Sequence, residues 1–184
     1  LGALPTLASV AIGEICARTL FEFGEAAAES VRAKQNSLAL DKVVEANTLL
    51  SGLGFESGGL ALAHAIAGGY PEIKVVHDNY LHGEMVAMGV MAQLAMQNSP
   101  DRERVARFFA RVGLPIHLNQ LSISAPNRDD IDKVIKLALS RPIAKNMPMP
   151  VTHATIKEAI LNGDKLGLAV ASEIGDDAYR RLHD

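Results

Sequence analysis

Residues 6–34 contain no proline and only two glycines, and apolar side chains recur there at helical spacing: Ile12, Ile15, Cys16, Leu20 and Phe23. A run of that length without a breaker predicts one long helix, bent near Gly24. Thr6, just after Pro5, is its expected N-cap. Glu25, Glu29 and Arg32 belong on its solvated side.

The same grammar continues along the chain. A second helix starts at 37–47, with Val43, Val44, Asn47, Leu50, Leu53 and Gly54 as its buried stripe. Glu56-Ser57-Gly58-Gly59 then breaks the pattern and delivers a third helix over 60–67. Gly68-Gly69-Tyr70-Pro71 stops that helix. Residues 72–81 read as a loop of mixed polarity, with one β-like stretch at 73–76. His82 opens a helix that is apolar nearly all round, through Met85, Val86, Met88, Val90, Met91, Leu94 and Ala95; such a helix is central to its bundle. Ser99 and Pro100 introduce a helix over 102–112. Residues 121–127 form a polar connection to a helix at 129–139. An irregular loop with three prolines follows at 140–151. Thr152 caps a last major helix to about residue 171, and 175–184 is a charged tail, a short helix or frayed. No stretch alternates with period 2 between turns, as strands do. The fold class is all-α, a bundle of about seven helices.

Other features bound the function. The 18 Lys and Arg against 21 Asp and Glu leave a mild charge, and no basic run interleaves with aromatics, so no nucleic-acid partner is expected. No apolar run approaches the roughly 20 residues of a membrane span. Residues 1–6 lack the positive segment of a signal peptide. A single cysteine, Cys16, excludes a disulfide framework within the chain and reads as a buried, inert thiol. These features suit a reducing cytoplasm. Neither a G-x-G-x-x-G loop nor a Walker sequence is present, so no nucleotide-binding residue is assigned.

The histidines carry the candidate chemistry. His183 and His153 are expected in solvent, His117 on the surface and His77 in a loop. His64 lies in an apolar run, either as a core histidine bonded to a carbonyl or as a metal ligand. His82 stands 18 residues later, at a helix start, where the dipole disfavours a protonated imidazole. Catalytic zinc takes three protein ligands and leaves one position open, and two histidines alone fall short of that.

Phe55-Glu56-Ser57-Gly58-Gly59-Leu60-Ala61, Ala63-His64-Ala65-Ile66 and His82-Gly83-Glu84 together resemble the C-terminal helical domain of the glycerol dehydrogenase family, in the iron-containing alcohol dehydrogenase superfamily, whose fold is shared by dehydroquinate synthases. The likeness extends to residues 42–54 and to Asn146-Met147-Pro148 with Val151-Thr152. The resemblance implies an all-helical metal-binding domain over 1–184, with the NAD-binding α/β domain absent from this chain. It implies a metal, usually zinc, with iron or manganese as alternatives, bound by His64, His82 and an aspartate that no residue here supplies. It also implies glycerol or another small polyol as substrate, NAD as cofactor and a homo-oligomer for the complete enzyme. A chain with these residues alone is expected to be inactive, and no catalytic residue is assigned. Phe55 is a substrate-pocket wall or a core aromatic. Glu56 is a carboxylate fixing a histidine tautomer, or a solvated one. Two departures from the family pattern, Ala67 and Met85, are expected to tune pocket polarity. A non-catalytic module that pairs through the Met-rich face of 85–96, and a related alcohol dehydrogenase with another substrate, are the alternatives.

Overall fold

The structure, a computed structural model, describes residues 4–124 and 128–183. It is all-α; among the described residues no strand forms. Two compact units divide the chain, residues 2–60 and 61–184. Part of the predicted connection, residues 125–127, lies outside the described residues.

In the first unit, α1 (Leu7–Arg32) runs unbroken through Gly24. The Ser9 amide donates to Thr6 Oγ1 over 3.1 Å, the cap expected of that threonine. Glu29 and Arg32 pair at 2.6 Å on the exposed side. A continuous helical run then packs back on α1: α2 (Leu38–Glu45), a π turn (Ala46–Leu50) and α3 (Ser51–Gly58). The π turn corrects the predicted stripe. It inserts one residue into the 3.6-residue period and so rotates every later side chain. Asn47 within the turn and Leu53 beyond it are exposed, and Ala46 is the buried residue of this run; Val44 is exposed too, but it precedes the turn, which does not account for it. Cys16 is buried as expected, its thiol donating to the Ala46 carbonyl at 3.6 Å. Burial pushes its pKa up, which keeps it a poor nucleophile. The Glu56 to Gly59 segment is not a break: the helix continues to Gly58. The chain turns at Gly59, whose φ of 75° only glycine adopts freely.

The second unit is built on α6 (His82–Met96), flanked by α4 (Leu62–Ala67) and α9 (His153–Ile174). Around these lie α5 (Lys74–Asn79), α7 (Arg102–Val112), α8 (Arg128–Ser140) and α10 (Asp177–His183). Leu62, Ile66, Met88, Ile135, Ile156 and Ile160 form one core. Each such side chain contributes about 1.5–3 kcal/mol when fully buried. The all-round apolar character of α6 has the expected outcome: Met85, Ala87, Met88, Gly89, Met91 and Ala92 are all buried. The Met-rich face is therefore interior, which removes it as a docking surface for another chain. Ala67 and Met85 join the same core, so neither lines a polar pocket.

Residues 74–79 are helical, not loop, and the β-like 73–76 stretch is its start. Local side chains account for this: Lys74 reaches Asp78 at 2.6 Å, and the Asn79 amide donates to the Val75 carbonyl at 2.8 Å. These i,i+4 contacts add only a few tenths of a kcal/mol each. The burial of Val76 seats the turn. Ser99 Oγ accepts from the Asp101 amide at 3.2 Å, so it shapes the turn before α7 and does not cap the helix itself.

Candidate metal centre

His64 sits mid-way along α4 and His82 is the first residue of α6. Their rings face each other with centroids 5.9 Å apart and planes inclined by 50°. Two imidazoles that each place a nitrogen about 2.0–2.1 Å from one ion must hold their rings within several ångströms, as here. His64 is half-buried and His82 exposed, so the pair opens toward solvent on one side. Burial lowers the His64 pKa, and the neighbouring His82 lowers it further. The ring is thus held neutral, with a lone pair free for a ligand. The chemistry of this donor pair fits a divalent ion such as zinc. Among the described residues no group of three or more His, Cys, Asp or Glu could hold one.

The close approach of α4 and α6 has two causes. Gly89 lies on the α6 face turned toward α4, and a Cβ there would land on the Ala63 carbonyl oxygen. Gln93, one turn further, accepts the Ala63 amide through Oε1 at 2.8 Å, which satisfies one of the unpaired donors at the start of α4. Gly89 ends the motif that opens at His82, but its packing role, like that of Gln93, does not follow from the motif. Small residues spaced along an apolar helix are the available signal for Gly89, whereas the partner of Gln93 lies 30 positions away and leaves none.

The remaining predicted residues are dispersed. Phe55, in α3 of the first unit, is 53% exposed and is no core aromatic. Glu56 is exposed as well. His77 is exposed and lies 3.1 Å from Asp78 Oδ1, while His153 is exposed and 3.3 Å from Asp132 Oδ1. One expectation is refined and one overturned. His183, at the end of α10, is exposed as expected, yet its side chain turns inward and sets Nε2 2.5 Å from Glu84 Oε1. His117, just before the Leu118–Leu121 turn, is only 8% exposed and lies against Gly167 of α9.

Burial of His117 lowers its pKa, with Asp164 and Asp176 opposing the shift. Its folded-state pKa therefore lies below the unfolded value, about 6.5. The stabilisation from this neutral ring is complete above that pH and is lost as pH falls below it. Denaturant midpoints from pH 7.5 down to 5 should fall more steeply for the parent chain than for His117→Gln. Parallel slopes would remove His117 from the acid sensitivity of the fold.

No protein-family model matches the chain. The glycerol dehydrogenase of Thermotoga maritima is 42% identical over 169 residues, covering 90% of this chain and 46% of its own length. That of Citrobacter freundii is 42% identical over 173 residues, with the same shares. The glycolaldehyde reductase of Halobacterium salinarum is 38% identical over 172 residues, covering 92% of this chain and 47% of its own. Among solved structures, the glycerol dehydrogenase of Schizosaccharomyces pombe superposes with a TM-score of 0.87 at 35% identity, over 95% of this chain and 46% of that one. The chain spans about half the length of the curated relatives it matches. Fold and sequence thus place it with a class of dehydrogenases and reductases, as the all-helical part. Within that class it is a homologue of the glycerol dehydrogenases, whose C-terminal part it matches at about 40% identity.

Proposed function

We propose that this chain is the metal-holding, substrate-facing part of an NAD-dependent glycerol dehydrogenase that oxidises glycerol to dihydroxyacetone. The observation that carries the reading is the facing pair His64 and His82, on two helices packed in contact, in a homologue of glycerol dehydrogenases. His64 and His82 would hold the ion, which we take to be zinc. Such an ion supplies Lewis-acid polarisation of a substrate hydroxyl, and NAD serves as hydride acceptor.

The chain's own residues have defined tasks in this scheme. His64 offers a neutral nitrogen because burial disfavours its protonated form. Leu62 and Ile66, fully buried on either side of it, exclude water from behind α4. The α4–α6 contact at Gly89 sets the distance between the two rings. A third ligand is supplied from outside the described residues.

Zinc affinity tests this reading. The chain should bind zinc weakly, since two imidazoles fall short of the three-ligand set of catalytic sites. His64→Ala and His82→Ala should each weaken binding by at least about tenfold, with helical content intact. Nanomolar binding that survives both substitutions would sink it. The Halobacterium relative, named a glycolaldehyde reductase, favours a second substrate reading. Comparing glycerol with glycolaldehyde on the complete protein separates the two.

A further inference from the structure

The strongest unassigned constellation lies where α10 meets the start of α6. Glu84, 8% exposed, uses both carboxylate oxygens. Oε2 accepts the Leu81 amide at 2.7 Å, and Leu81 is the N-cap of the helix whose first residue is His82. Oε1 faces His183 Nε2 at 2.5 Å. The other nitrogen of His183, Nδ1, faces the Tyr179 carbonyl at 2.8 Å. The His183 ring is stacked on Tyr179, centroids 3.9 Å apart and planes 16° from parallel. Tyr179 is itself buried, and its hydroxyl donates to the Gln120 carbonyl. On the other side Tyr80, 6.2 Å from the His183 ring, is held through its hydroxyl by Ser122 Oγ at 2.6 Å.

This arrangement is more than a helix cap. An N-terminal carboxylate at the third position of a helix ordinarily reaches back to the cap amide from solvent. Here that carboxylate is buried and is clamped by a residue 99 positions later in the chain. A carboxylate so held has one rotamer, and the Leu81 peptide that it binds has one orientation. That peptide is adjacent to His82, so the direction in which His82 leaves the backbone is fixed from α10.

We propose that His183 and Glu84 are positioning residues for the metal-binding histidine: α10 fixes His82 through the path His183–Glu84–Leu81 amide. The proposal rests on the reading of His82 as a metal ligand. Partners of this kind, which touch no metal, set ligand orientation and are worth about 10- to 100-fold in metal affinity.

The test uses the 184-residue chain, with zinc as the probe and amide hydrogen exchange as a metal-free readout. In His183→Ala the Leu81 amide should exchange at least tenfold faster, while the α6 amides around Met88 keep their protection. Zinc affinity should fall about tenfold. His183→Gln, whose amide can still donate to Glu84, should restore both. In a Glu84→Gln background His183→Ala should add little, because the two act along one path. Unchanged Leu81 exchange and zinc affinity in His183→Ala, beside a lost affinity in His82→Ala, overturn the positioning role and leave the metal reading standing. Full zinc affinity in His82→Ala overturns the metal reading itself, and the positioning role with it.

Discussion

Gly89→Ala should destabilise the second unit by about 1–3 kcal/mol, the usual cost of forcing an extra methyl into a packed contact. The sign makes this a sharp expectation. Gly89 lies inside a regular helix, where alanine is intrinsically better than glycine by about 1 kcal/mol. In open space the substitution would raise the denaturant midpoint. Here the new Cβ meets the Ala63 carbonyl oxygen, which is backbone and cannot rotate away. The α4 helix has to move off α6, and His64 moves with it. The same variant should therefore weaken zinc binding without touching either histidine. Urea denaturation and zinc titration on one preparation read both effects. A raised midpoint with unchanged zinc affinity would mean that the two helices do not touch there.

Ile66→Ala should cost about 2–5 kcal/mol, the range for truncating a fully buried isoleucine, because the surrounding core closes the cavity only in part. For a protein of this size the thermal midpoint would drop by roughly 5–20 °C. The argument comes from the length of α4. It has six residues, and isolated helices shorter than about 12–15 residues are marginal in water. Its helicity is therefore conferred by Leu62 and Ile66 packed into the core with Val134 and Ile135. Leu161, 40% exposed on α9, is the control: Leu161→Ala should cost well under half as much. Equal losses for the two variants would contradict a core-held α4.

Much of the architecture was legible in the sequence because its long helices follow apolar periodicity. The proline-free run at α1, the all-round apolar α6 and the Thr152-capped α9 each declare themselves. What escaped lies below the resolution of periodicity. The six residues of α5 are too few to establish a repeat, and its polar His77, Asp78 and Asn79 read as loop. The buried stripe was misplaced from Asn47 onward because a π turn carries no sequence mark of its own.

The candidate site divides in the same way. His64 and His82 stood out through their motif, and the structure brings their rings together. Gln93, Gly89 and His183 act through partners distant in the chain, and no local pattern announces such pairings. The charged tail, read as a short helix or frayed, is the helix α10, anchored by Tyr179, which is buried, and by the His183 contact with Glu84.

The π turn at Ala46–Leu50 has a consequence for how this region tolerates length change. A π turn is an α-helix carrying one surplus residue. Losing a residue from that turn need not break the helix; it returns the segment to ordinary pitch. The hydrogen-bonded backbone survives, and the downstream half keeps its facing, because the wider turn had already taken up the surplus residue's rotation of about 100°. Phe55 rides on that half and stays where it faces. The same deletion within α2 or α3, where the pitch is regular, would instead turn everything beyond it by one residue. The π turn is thus the point in this run where chain length can change by one residue without a change of face.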